Sequence, residues 1–104
     1  MCNKENLRKA YDQFKAIPFP KTPMNNNSLQ DIHFDLVLFD SKIAGAIDEI
    51  IGNKTVSEDE FLYDITLETK IKILIKDLDE QNIIIARSYL AYLEKLKQLI
   101  NIIK

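Results

Sequence analysis

The last third of the chain carries an apolar series that leaves little choice of architecture. Ile71, Ile75, Leu78, Asn82, Ile85, Tyr89, Tyr92, Leu96, Leu99 and Ile103 follow one another in alternating steps of four and three. That spacing places every member on one stripe of a helix. A stripe of this length has to be covered by other helices. Only Asn82 interrupts its apolar character. The series therefore fixes helix on helix as the packing mode, without fixing a chemistry.

The rest of the chain supplies the covering elements. In residues 1–16, Leu7, Ala10, Tyr11 and Phe14 share one face of a short helix. Ile17-Pro18-Phe19-Pro20-Lys21-Thr22-Pro23 ends it, because a residue before proline is pushed out of the α region. Residues 17–27 then read as a Pro/Asn-rich connector in which Phe19 and Met24 have apolar surface to bury, so a strap across the bundle is expected. Ser28 with Asp31 has capping-box spacing. Leu29, Ile32, Leu36, Phe39, Ile43, Ala46 and Ile50 follow at helical spacing. Gly52 stands where helices commonly end with positive φ. Within this helix Ala44-Gly45-Ala46 reads as a point of close approach by a neighbour.

Ser57 and Glu60 form a second capping box, and Glu58, Asp59 and Glu60 suit a helix N-terminus. A third helix is expected from there. The odd positions from Phe61 to Ile75 also alternate apolar side chains, so a strand or hairpin over 61–76 is the competing reading. Helical neighbours and caps favour the helix. A break near Asp79–Asn82 divides the core into three helices of about 21 residues, each near 32 Å at 1.5 Å per residue. An unbroken helix over 58–103 would run about 69 Å and project beyond its partners.

Together these signals predict an all-α fold. It is one domain over residues 1–104, an antiparallel bundle of three long helices with a short N-terminal helix and a Pro-rich strap. The helical core is expected over 28–104. With only two glycines in 104 residues, a turn-rich β-architecture is disfavoured.

Charge is distributed unevenly. Residues 31–80 hold five cationic and thirteen acidic side chains, a net −8, whereas residues 1–30 and 81–104 each carry +3. Nucleic-acid binding calls for a concentrated basic stripe, and the middle of this chain is the opposite. No apolar run follows the N-terminus and none approaches the roughly 20 residues of a membrane span. Cys2 is the only cysteine, which excludes an intramolecular disulfide. A cytoplasmic location is the expectation.

No constellation for catalysis stands out. There is no phosphate loop, nucleophile elbow or His-Glu-x-x-His pattern. His33, the single histidine, falls beside the apolar stripe and reads as a boundary residue. Cys2 as an N-terminal nucleophile lacks a matching oxyanion site. Glu60, Asp64 and Glu68 would stack at i, i+4 and i+8 on one helix face, a ridge that suits a hard cation such as Mg²⁺ and a hydrolase built on it. The second helix adds only Asp48-Glu49 toward such a cluster.

The leading expectation is a non-catalytic binding or regulatory module that acts through protein–protein contacts, with no cofactor, no metal, no nucleic acid and no membrane. Its candidate partner-binding residues are Glu58, Asp59, Glu60, Asp64 and Glu68. A specific version is an inhibitor or immunity-type protein whose acidic block covers the basic site of a toxin. Asn82, Tyr89 and Tyr92 form a candidate seam for a homodimer, because a polar residue in an apolar stripe sets register in coiled coils. The Mg²⁺-dependent hydrolase is the rival reading.

Overall fold

Two long helices set the dimensions of the molecule. The computed structural model describes residues 3–104, and the expectations attached to Cys2 lie outside the described residues. The elements are α1 (Lys4–Lys15), α2 (Asn27–Ile51), α3 (Ile65–Leu74) and α4 (Glu80–Ile103), with 3₁₀ turns at Glu58–Phe61 and Ile75–Asp77. Among the described residues there is no strand, so the all-α expectation holds. At 1.5 Å per residue, α2 and α4 each run about 37 Å, most of the 45 Å long axis. The radius of gyration of 14.6 Å exceeds the roughly 13 Å of a spherical domain of this length, as two long rods require. No helix is long and apolar enough to cross a membrane among the described residues.

α2 and α4 pack on each other, and both α1 and α3 pack on that pair. The core is the product of the helical stripes. From α1 it takes Leu7, Tyr11 and Phe14; from α2, Leu29, Ile32, Leu36, Phe39, Ile43, Ala46 and Ile47. From α4 it takes Ala86, Tyr89, Tyr92, Leu93, Leu96, Leu99, Ile100 and Ile103. No polar or charged residue is fully buried among the described residues. Lys4 donates to the Asn53 side chain, which ties the first turn of α1 to the segment after α2.

Each helix start is fixed by a side chain. Asn3 Oδ1 accepts the backbone N–H groups of Glu5 and Asn6. α2 is capped by Asn26, whose Oδ1 accepts from Leu29 N at 3.0 Å, and not by Ser28 as the sequence suggested. The cap lies two residues earlier because Asn26 is extended while Asn27 is already helical. At the other end Gly52 has φ −78°, and the positive φ falls on Asn53 at 66°. Asparagine tolerates that conformation better than most residues. A Cβ at Gly45 would meet nothing within 4 Å. Ala46 beside it is buried, and Gly45 faces solvent.

The third helix departs furthest from expectation. It has 10 residues, and Ser57 makes no side-chain cap. The acidic run Glu58-Asp59-Glu60 occupies a 3₁₀ turn, and α3 begins only at Ile65, where Asp64 Oδ1 accepts Leu67 N at 2.9 Å. The cause lies between these points. Phe61 and Tyr63 both turn toward the core while Leu62, extended with ψ 138°, turns out. Side chains alternate in this way along extended backbone and not along a helix. The period-two signal is thus real, but it spans only residues 61–63. Beyond it Ile65 and Ile73 are exposed, whereas Leu67 and Ile71 are buried at helical spacing. Leu78 and Asp79 are extended, and Asp79 Oδ1 accepts Asn82 N at 2.9 Å to start α4. The stripe is therefore divided just before Asn82, which is the third residue of α4 and not part of the break.

Candidate functional site

The out-turned Leu62 lines a concavity of the surface. On α2, Phe34, Val37 and Leu38 lie at i, i+3 and i+4 off the core stripe, and Phe34 and Leu38 are 61% and 54% exposed. Leu62 is 46% exposed. Leu38 and Leu62 line one cavity of about 640 Å³ with Asp35, Phe39 and Lys42 of α2 and Asp59, Tyr63 and Asp64 opposite. Its floor is rigid. Tyr63 meets Phe39 edge-on, with centroids 5.9 Å apart at 73°. The Tyr63 hydroxyl donates to Glu68 Oε1 at 3.0 Å, and Lys97 Nζ lies 5.3 Å from the ring centroid. Burial first, then the hydrogen bond to Glu68, pushes the Tyr63 phenol well above its ordinary range. The same bond holds the Glu68 carboxyl below its usual value.

A second cavity of about 410 Å³ adjoins the first. It is lined by Ser28, Asp31, Ile32 and Asp35 of α2 and by Lys70, Ile73, Leu74 and Asp77. Asp35 belongs to both. The two cavities make one groove between α2 and the 59–77 segment, walled by exposed apolar side chains and rimmed by Asp31, Asp35, Asp59, Asp64 and Asp77 against Lys42 and Lys70. Among the described residues the ion pairs are Lys15–Asp12 and Lys72–Glu68. Among the described residues none of the groove carboxylates has an ion-pair partner.

The candidate acidic residues are thus split. Asp59 and Asp64 stand on the groove. Glu58 and Glu60 are exposed on the 3₁₀ turn. Glu68 is occupied by Tyr63 and, at 3.5 Å, by Lys72. Glu60, Asp64 and Glu68 share no helix face, because Glu60 and Asp64 precede α3. Among the described residues no group of three His, Cys, Asp or Glu side chains is placed to hold a metal ion. Of the candidate seam, Tyr89 and Tyr92 face inward, 0% and 7% exposed. Asn82 is half-buried. The tyrosines are taken up by the chain itself, so their rings are not presented to a second copy.

What occupies the tyrosines is a polar cluster under the connector. Tyr92 donates to Asp40 Oδ1 at 2.8 Å. The Tyr89 hydroxyl lies 3.2 Å from His33 Nδ1, and Thr22 Oγ1 lies 3.5 Å from His33 Nε2. Phe19 packs edge-on against both His33 and Tyr92. Every buried side-chain nitrogen or oxygen among the described residues has a partner.

Asp35, Leu38 and Leu62 were not singled out by the sequence as site residues. The available signal was the apolar trio Phe34, Val37 and Leu38 lying off the core stripe of α2. Comparison with protein-family models, with curated proteins and with solved structures finds no match to this chain.

Proposed function

We propose that this chain is a non-catalytic cytoplasmic docking module that captures a basic protein partner through the groove between α2 and residues 59–77. The observation that carries this reading is the pairing of two exposed leucines, Leu38 and Leu62, in one cavity with an unneutralised acidic rim. Exposed apolar side chains gathered at a polar rim mark interaction surfaces. Leucines supply the buried contact. The carboxylates steer a cationic partner and raise its association rate, an effect that salt screens. An inhibitor or immunity-type protein covering the basic site of its target is the specific form of this reading.

The reading treats the helices as an antiparallel bundle held by a proline-rich strap. The Lys4–Asn53 contact and the burial of Pro23 support that view. The strap leaves the α2–α3 groove open, since the aromatic contacts of Phe19 are with His33 and Tyr92.

Photo-cross-linking in the expressing cells tests the proposal. A benzophenone amino acid replaces Leu38 in one variant and exposed Gln98, on α4 and outside the groove, in another. A discrete adduct to a second protein is expected from position 38 and not from 98. It should disappear when Asp35 and Asp59 are both changed to Lys. No adduct from position 38, or equal adducts from both positions, overturns the docking role. An adduct of twice the 12.1 kDa chain would put a second copy in place of the basic partner.

A further inference from the structure

The α2 side of the groove is lined at a spacing of seven residues, which sets the register an occupant must meet. The four α2 residues lining the first cavity are Asp35, Leu38, Phe39 and Lys42, and each stands seven positions beyond one lining the second. Seven residues are two helical turns, about 10.5 Å. The groove is therefore two sites two turns apart along α2, each holding exposed apolar side chains among charged ones. Leu38 and Leu62 mark one and Ile73 the other, each around half exposed. Asp35 stands between them and lines both.

From this register we infer that the occupant is an amphipathic basic helix with apolar anchors at i and i+7 and a Lys or Arg at i+3 or i+4. The inference rests on the docking role proposed above and names the chemistry of the partner. A helix laid along α2 repeats its surface every seven residues when it follows a neighbouring helix closely. Two anchors in register with the two cavities then fall on one face, as helix-in-groove recognition requires. The residue one turn after the first anchor lies over Asp35. A cation there meets a carboxylate that has no ion-pair partner among the described residues. Asp59 and Asp77, at the two ends, take further cations on the flanks. An anionic helix would meet five carboxylates and only Lys42 and Lys70 in its favour. Charge complementarity thus selects a basic helix over an acidic one.

Three synthetic helical peptides of matched length test the inference against the full ¹⁵N-labelled chain. The first carries Leu at i and i+7, Lys at i+4 and Lys on the flanks. The second has the same composition with the second Leu moved to i+5, which takes it off the shared face. The third replaces every Lys of the first by Glu. The first peptide should bind about tenfold or more tightly than either control, since a misplaced leucine forfeits its burial. Amide shifts should cluster at residues 28–42 and 59–77. Asp35→Asn, at a side chain with no ion pair among the described residues, should weaken the first peptide several-fold and leave the unbound spectrum elsewhere unchanged. Equal binding of the first two peptides, tighter binding of the third, or shifts centred outside the groove would overturn the inference, as would no shift at millimolar peptide. Cross-linking from position 38 uses none of these peptides. An adduct there alongside equal peptide binding rejects the i, i+7 helix and keeps the docking role. No adduct there rejects both.

Discussion

Asp40 sits half-buried on α2, and two opposing effects set its protonation. Burial raises its carboxyl above the ordinary range, and the hydrogen bond from the Tyr92 hydroxyl lowers it, the first effect being the larger. The sign for stability follows. Over the window from the unfolded value up to the raised folded value, the native state keeps a proton that the unfolded chain has released. Stability therefore falls as pH rises through that window. Tyr92→Phe removes the lowering partner and nothing else of the ring. The Asp40 carboxyl should then titrate higher still, and the folded state should lose about 1–3 kcal/mol at neutral pH, where a half-buried carboxylate is left without its donor. The loss should shrink in acid, where the carboxyl is neutral. Carboxyl-carbon NMR titration reads the first effect, and urea unfolding at two pH values reads the second. An unchanged Asp40 titration would mean that the 2.8 Å contact does not control this group.

At the scale of elements, α3 is the weak member. Ten residues fall short of the roughly 12–15 that an isolated helix needs even to be marginal, and only Leu67 and Ile71 are buried from it. Its start depends on Asp64 accepting Leu67 N. Asp64→Ala should cost about 1 kcal/mol, and the loss should appear first as faster amide exchange across residues 65–74, with α2 and α4 still protected. Uniform acceleration across all four helices would show instead that α3 opens only with the whole domain. The same element marks the limit of what the sequence could disclose. The buried faces of α1 and α2 and the α4 end of the long stripe were legible because they are periodic and apolar. Six of the seven residues predicted for the α2 stripe are fully buried, and the seventh, Ile50, packs against the core. Residues 57–64 were not legible as they stand, because the capping-box spacing placed the helix start at Ser57, whereas α3 is capped by Asp64. The burial of Phe61 and Tyr63 decides between them, and that is a tertiary effect. The site was legible by halves. Asp59 and Asp64 follow from the acidic run, but Asp35, Leu38 and Leu62 join them only because the extended backbone at Leu62 turns its side chain outward.

For the molecule as a whole, tyrosine is the residue that ties the elements together. Tyr11 lies on α1, Tyr63 on the connection to α3, and Tyr89 and Tyr92 on α4. All four tyrosines of the chain are pushed above their ordinary range, Tyr89 to about 12, and burial is the largest cause in each case. Carboxylates add to it: Asp40 against Tyr92, Glu68 against Tyr63, and Asp48 with Asp40 against Tyr11. A phenol whose folded value is raised contributes stability that is complete below the unfolded value and lost as pH rises toward the folded one. The unfolded chain begins to release these protons near pH 10, and the native chain does not. Four such groups acting in one direction should make the domain yield cooperatively to alkali. Phenolate absorbance should stay low at about pH 10, where a free tyrosine is half ionised, and then rise in a single step that coincides with loss of helical circular dichroism. In denaturant the absorbance should return to the ordinary tyrosine curve. Phenolate appearing near pH 10 with the helical signal intact would mean that the rings reach solvent without unfolding. The tyrosines would then not be the fasteners of this core, and the contacts that Tyr63 makes at the floor of the groove would not hold it either.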